Sequence, residues 1–380
     1  MDRPAPLIVH IVFRFDYGGL ENGVVNVVNA LHGRAQRHHI IALTEVTSFQ
    51  ERLRDGIDVS ALGKQPGRDF GAYRRLYRLL RKLRPTIVHT RNVGTLDCAL
   101  VAFAAGVPAR IHGEHGWDVA DPDGTRAKYR WFRRAFNPFV QQFVTVSQHL
   151  ADWLVGTVKI RRSKIRHICN GVDVARFTPE RVIDIGDAPA WLTDADSVVI
   201  GSVCRFSPIK DPLNLVNAFI ALMNSGEKHV DRCRLVMIGD GPLHAEAVDC
   251  VRAAGFSDRV WLPGSRDDVA AILRGFDVFV LGSQREGISN TILEAMACAL
   301  PIIATATGGN VELVDPSRNG TLVPPGDSQA LTGAIQRYVA DETLRSKHGQ
   351  GSRTMATSEF SLATMIGNYR ELYAHALAGN

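Results

Sequence analysis

No run of eighteen apolar residues occurs in the chain, which counts against a membrane-spanning helix. Cys-x-x-Cys pairs are missing too. The six cysteines, at 98, 169, 204, 233, 250 and 298, are scattered, so free thiols in a reducing cytosol are expected rather than a zinc ribbon or a disulfide frame. The first strand-like run is not followed by Gly-x-Gly-x-x-Gly, which counts against a dinucleotide-dependent dehydrogenase. Acidic metal-binding motifs and recognised nucleic-acid modules are likewise missing. Met1–Pro6 carries an acid and a proline before a strand-like run, so no secretory leader is expected.

The 380 residues exceed one typical domain, and the 45% apolar content suffices for two cores. Charge is uneven. Residues 1–180 hold 27 Lys and Arg against 16 Asp and Glu, a balance of +11, while the remainder holds 17 against 23, a balance of −6. A basic N-terminal half points to an anionic partner on that side. Arg74, Arg75, Arg78 and Arg81 crowd a helical stretch over 72–83, with Tyr73, Leu76, Tyr77, Leu80 and Leu83 predicted on its apolar face. Arg126, Lys128, Arg130, Arg133 and Arg134 alternate with Tyr129, Trp131 and Phe132. A solvated surface helix accounts for such patterns, and so does contact with anionic lipid headgroups.

Apolar runs alternate with amphipathic stretches in both halves. Leu7–Phe13 reads as a strand, Gly18-Gly19 as a tight loop, and the valines that follow as a helix. Strands are expected near 39–43, 59–62, 86–90 and 109–112, with 143–147 closing the first sheet. His115 stands at a strand's carboxyl end between Gly113 and Gly116, where open α/β sheets meet ligands. The poorly periodic stretch 179–196 is the expected linker, giving domains 1–180 and 181–360 and a last helix, 361–380, crossing back to the first. A second alternation begins at Val198. Within it, a buried strand leads into Glu286-Gly287-Ile288-Ser289-Asn290, and a helix carries Glu294. Such a helix start suits phosphate, and carboxylates suit sugar hydroxyls as hydrogen-bond acceptors.

Glu286-x7-Glu294 with Gly287 after the first acid resembles the signature of retaining group-1 glycosyltransferases of the GT-B fold. Arg205-x4-Lys210, Gly18-Gly19, His115, Asn170-Gly171-Val172-Asp173 and Gly308-Gly309 stand in that family's order over essentially the whole chain. The N-terminal pattern also resembles sugar transferases associated with bacterial exopolysaccharide and PEP-CTERM/exosortase systems. Cys204 and Ala299 depart from positions where the family often has glycine.

The resemblance implies an α/β chain with two doubly wound Rossmann-like domains facing each other across a cleft. It implies sugar transfer from a nucleotide-diphosphate donor to a glycan or lipid-linked acceptor with retention, and no metal or other cofactor. Arg205 and Lys210 would hold the diphosphate, and Glu286 the transferred sugar. Glu294 would hold the ribose, His115 the donor sugar or the departing charge, and Gly18, Gly19 and Gly287–Asn290 would add backbone contacts. A cytoplasmic enzyme, peripheral at the inner membrane face, is expected. A GT-B epimerase, a sugar phosphorylase or a non-catalytic membrane-surface scaffold are the competing readings.

Overall fold

The computed structural model of the protein describes residues 5–33, 35–117, 121, 123–180 and 185–378. The chain divides into two units. One runs to Gly171 and takes in the chain from Leu362 onward, and the other spans Val172–Ser361. The first is built on a seven-stranded sheet of β1 (Leu7–Val12), β2 (Arg37–Ala42), β3 (Asp58–Ala61), β4 (Ile87–Arg91), β5 (Ala109–Glu114), β6 (Gln142–Thr145) and β7 (Ile165–His167), ordered β3-β2-β1-β4-β5-β6-β7. The second holds six strands, β8 (Val198–Val203), β9 (Cys233–Ile238), β10 (Val260–Gly264), β11 (Val278–Leu281), β12 (Ile302–Thr305) and β13 (Gly320–Val323), ordered β10-β9-β8-β11-β12-β13. Every named pairing is parallel.

Parallel strands need crossovers, and the crossover helices cover both faces of the sheet. That is why strands such as β1 and β8 read as near-continuous apolar runs. In β1, Ile8 packs with Ile87, Ile111 and the helix Leu362–Ala378, whereas Val9 and Ile11 point to the opposite face with Val88, Leu76 and Leu80. Strand order reverses between β1 and β4 in one unit and between β8 and β11 in the other. Ligands of open α/β sheets enter at such switch points, outside the carboxyl ends of the strands.

Three expectations change. The units part at Gly171/Val172 rather than in the stretch 179–196, of which 181–184 lie outside the described residues. The reason is hydrogen bonding: Val172 N–H donates to Phe360 O (2.9 Å), and Arg353 donates to Val174 O and Phe177 O. Next, β7 rather than β6 forms the edge of the first sheet. Finally, Tyr77 is exposed, because Leu76 and Leu80 take the inward face of the helix Phe70–Leu83. The last helix packs Met365, Tyr369, Leu372 and Tyr373 into the first unit's core.

Ala299, just past the helix Asn290–Ala297, has φ +59°. A left-handed residue commonly ends a helix, but an L side chain there costs about 1–2 kcal/mol. Ala299→Gly is therefore expected to stabilise the chain by about 0.5–1 kcal/mol after glycine's extra unfolded-state entropy is subtracted. A denaturant midpoint at or below the parent's would contradict this.

Candidate active site

Loops after β8 and β11 meet at the second unit's switch point. Gln284 N–H donates to Ile209 O (2.9 Å), and its side-chain amide donates to Asp211, so the two loops are joined along their length. Lys210 Nζ reaches Glu286 Oε1 at 2.5 Å, and Ser283 Oγ donates to the same oxygen at 2.7 Å. Glu286 is 6% exposed and the Lys210 side chain 29%. A carboxylate buried to that degree needs such partners. Both bonds fall on Oε1. Among the described residues Oε2 has no protein partner and stays open to a donor from a ligand.

Backbone rather than side chains sets the position of this loop. Gly308 has φ +52°, and a Cβ there would stand 1.7 Å from Glu286 O. Gly309 N–H donates to Gly287 O, and a Cβ at Gly309 would lie 2.3 Å from that oxygen. The expected glycine pair thus has a physical basis: two chain segments touch. Thr307 Oγ1 adds a bond to Gln284 O, and Thr305 Oγ1 one to Ser283 O. Beyond Gly287 and Ile288, Ser289 caps the helix Asn290–Ala297 by accepting from Ile292 N–H.

Arg205 is exposed and forms no ion pair among the described residues. It lines a cavity of about 340 Å³ with Cys204, Gly239, Asp240, Arg266 and Thr291. The turn Gly239–Gly241 and Arg266 were not singled out as site residues from the sequence, although a Gly-Asp-Gly turn after a strand is a usable signal. Arg266 is fixed by Asp268 and Asp187. Among the described residues, no group of three or more His, Cys, Asp or Glu converges as metal ligands would.

In the first unit, Gly18 is extended and precedes the helix Gly19–Leu31. A Cβ at Gly18 would meet only the movable carboxylate of Glu21, so neither glycine is demanded by φ. His115 follows β5, and its backbone N–H is held by Asn92 Oδ1 (2.8 Å). Its Nε2 lies 2.9 Å from Arg91 Nη1. Burial first, and then the Arg91 charge, hold this imidazole well below its usual value. Sequence reading passed over Arg91, which ends β4 and is buried. Asp118, beside the His115 loop, lies outside the described residues.

On the surface, Arg74, Arg75, Arg78 and Arg81 are all exposed, and Arg75 is engaged by Asp69 and Leu62 O. No helix among the described residues is long and apolar enough to cross a membrane.

Comparison with known proteins converges on one family. Residues 197–341 match the family described as Glycosyl transferases group 1, and residues 17–176 match Glycosyltransferase Family 4. The glycosyltransferase EpsF of Bacillus subtilis (strain 168) is 30% identical over 80% of this chain and 80% of its own. UDP-Gal:alpha-D-GlcNAc-diphosphoundecaprenol alpha-1,3-galactosyltransferase of Escherichia coli is 28% identical over 78% of this chain and 77% of its own. The crystal structure of Anabaena HepE in complex with UDP and glucose superposes with a TM-score of 0.78 at 19% identity, over 97% of this chain and 99% of that one. The fold is GT-B, with two Rossmann-like domains.

Glu294 offers a measurable property. It is half-buried, and burial pushes its carboxyl up to about 7, with the Arg176 charge offsetting part of the rise. A carboxyl raised above its ordinary 4.5 binds more protons folded than unfolded between those values. Its favourable contribution is complete below the unfolded value and is lost as pH rises through about 7. Glu294→Gln should thus gain stability relative to the parent as pH goes from 5 to 8. Unfolding curves that shift equally for both chains would show that Glu294 is not desolvated.

Proposed function

Since the chain belongs to the group-1 glycosyltransferases, we propose that it moves a sugar from a nucleoside-diphosphate donor to a glycan or lipid-linked acceptor. The transfer retains the anomeric configuration, requires no metal ion, and serves the assembly of a bacterial exopolysaccharide or cell-surface glycan. One observation carries the reading: a lysine and a half-satisfied carboxylate meet at 2.5 Å from two loops at a switch point, and the lysine's loop also carries the exposed Arg205.

The chemical problem is a leaving group that gathers negative charge. Arg205 supplies a fork of donors for phosphate, and Lys210 supplies a compact charge that can share itself between Glu286 and a phosphoryl oxygen. The start of the helix Asn290–Ala297 adds its dipole. Glu286 Oε2 accepts from a hydroxyl of the transferred sugar, and Glu294 from ribose hydroxyls. Retention follows from attack on the face the diphosphate leaves, with the departing oxygen taking the acceptor's proton. The tight engagement of Glu286 Oε1 favours a binding role over a nucleophilic one. A UDP-glucose-type donor is supported by the UDP and glucose bound to HepE, and a lipid-linked acceptor by the diphosphoundecaprenol in the name of the E. coli relative.

The acceptor's membrane would be met by the helix Phe70–Leu83 through Arg74, Arg75, Arg78 and Arg81. Phe70 and Trp131 are 77% and 67% exposed in the same unit, and both line a cavity of about 770 Å³ with Lys64, Arg68 and Lys128. The protein would then be peripheral at the inner membrane face.

Lys210→Ala and Glu286→Ala should each lower turnover by about 10²–10³-fold, the usual loss for one group that stabilises transition-state charge. Near-normal turnover in either would remove the role assigned to that residue. Activity should survive excess chelator, and its complete loss would overturn metal independence. Thermal shifts against a panel of nucleotide sugars identify the donor. Neutralising Arg74, Arg75, Arg78 and Arg81 together is expected to abolish binding to anionic liposomes. Equal binding by variant and parent would end the membrane proposal.

A further inference from the structure

Arg91 is buried, yet among the described residues no carboxylate pairs with it. Its guanidinium donates from Nη1 to His115 Nε2 (2.9 Å) and Tyr369 OH (3.2 Å), and from Nη2 to His10 Nδ1 (3.3 Å). A guanidinium has only donors, so each ring nitrogen it touches must be bare. His115 therefore carries its proton on Nδ1. His10 carries its own on Nε2 and gives it to His38 Nδ1 at 2.9 Å. That leaves the His38 proton on Nε2, which is buried and without a partner among the described residues. One side chain dictates the tautomer of each ring in the series. Burial holds His10 well below the usual imidazole value, and burial followed by the His32 charge brings His38 to about 3, so the rings stay neutral around the cation.

We propose that Arg91 is a positioning residue that locks His115 as a neutral Nδ1–H donor, backed by a fixed positive charge, toward an oxygen of the bound substrate. Among the described residues His115 Nδ1 has no hydrogen-bond partner and is not sealed from solvent. The arrangement reverses the carboxylate–histidine pair, in which an acid supports an imidazolium. Here a cation supports an uncharged ring, which polarises an oxygen without delivering a proton. Nε2 is occupied, so His115 cannot take the acceptor's proton there, and that proton goes to the leaving diphosphate. The identity of the oxygen rests on the transferase reading, whereas the tautomer does not.

Gly113 makes the pairing possible. It is the register partner of Arg91 across β4 and β5. A Cβ there would lie 2.6 Å from His115 Nε2 and 3.3 Å from Arg91 Cδ. Both neighbours are side-chain atoms and the backbone of Gly113 is not left-handed, so Gly113→Ala displaces the ring rather than the fold.

The test reads the full-length chain labelled with ¹⁵N-histidine, by long-range proton–nitrogen correlation without donor or acceptor, His115 being assigned by its loss in His115→Gln. A neutral Nδ1–H ring at pH 7 is expected, and an Nε2–H or doubly protonated ring overturns the proposal. In Gly113→Ala the Nε2–H form should appear and kcat should fall about 10²-fold, the scale for one lost donor. The donor KM should stay within about threefold, since the bond strengthens in the transition state. Arg91→Lys, still a donor-only cation, should keep the Nδ1–H form and most of kcat. Parent-like tautomer and kcat in Gly113→Ala, or a loss confined to KM, would overturn the role. An Nδ1–H ring in a chain that transfers no sugar would count against the transferase reading alone. Sugar transfer by a chain with the other tautomer would sink this proposal alone.

Discussion

Lys210 and Glu286 meet because a parallel sheet delivers the loops after β8 and β11 to one crevice. Neither residue could sit there singly. A nearly buried carboxylate without a cation costs several kcal/mol, and the lysine's remaining donors would have no fixed direction. Paired, the two hold one arrangement with an oxygen on one side and N–H groups on the other left to face a ligand. The strand order matters as much as the residues. Reversal between β8 and β11 sends the following helices to opposite sides, which leaves the crevice of an open α/β sheet outside the carboxyl ends of these two strands.

The first unit manages charge differently. Arg91 is as buried as Glu286, but neutral imidazoles and a phenol surround it. Glu114, the nearby acid, is taken by Arg133 at 2.6 and 3.0 Å. Burial alone would raise that carboxyl, yet the Arg133 guanidinium and His112 hold it well below the ordinary range. The Glu114–Arg133 pair is thus closed, whereas Arg91 keeps an unneutralised field at the carboxyl end of β4. Tyr369 over the guanidinium and Tyr373 against His89 bring the last helix into this environment.

Much of this was readable in advance, for local reasons. Leu7–Val12 and Val198–Val203 are apolar but for His10 and Ser202 because both sheet faces are covered. Glu286 stands out because it occupies a loop between a buried strand and a helix, whereas Arg205 and Lys210 are singled out by the family resemblance. Arg91 is marked by neither. It ends a strand whose last three residues are polar, and its meaning depends on His10 and His115, which lie 81 and 24 positions away. The unit boundary failed for the same reason. Residues 172–177 look like any turn until Arg353 and Phe360 bind their backbone. Glu294 stands out through the family resemblance, but that its carboxyl is half-buried shows only in the packing.

The charge balance of +11 against −6 pointed to the N-terminal half, but Arg205 and Lys210 stand in the acidic half. Net charge describes the long-range field, whereas a site needs charges whose directions are fixed. Direction here comes from backbone. Gly308 and Gly309 let one loop press against the carbonyls of Glu286 and Gly287, so the carboxylate's place is set by main-chain contact at van der Waals range. A methyl group at either glycine would move Glu286 and change no charge at all. The glycine pair is therefore as much a part of the electrostatics as the lysine, since 1 Å at the carboxylate decides whether Lys210 can reach it.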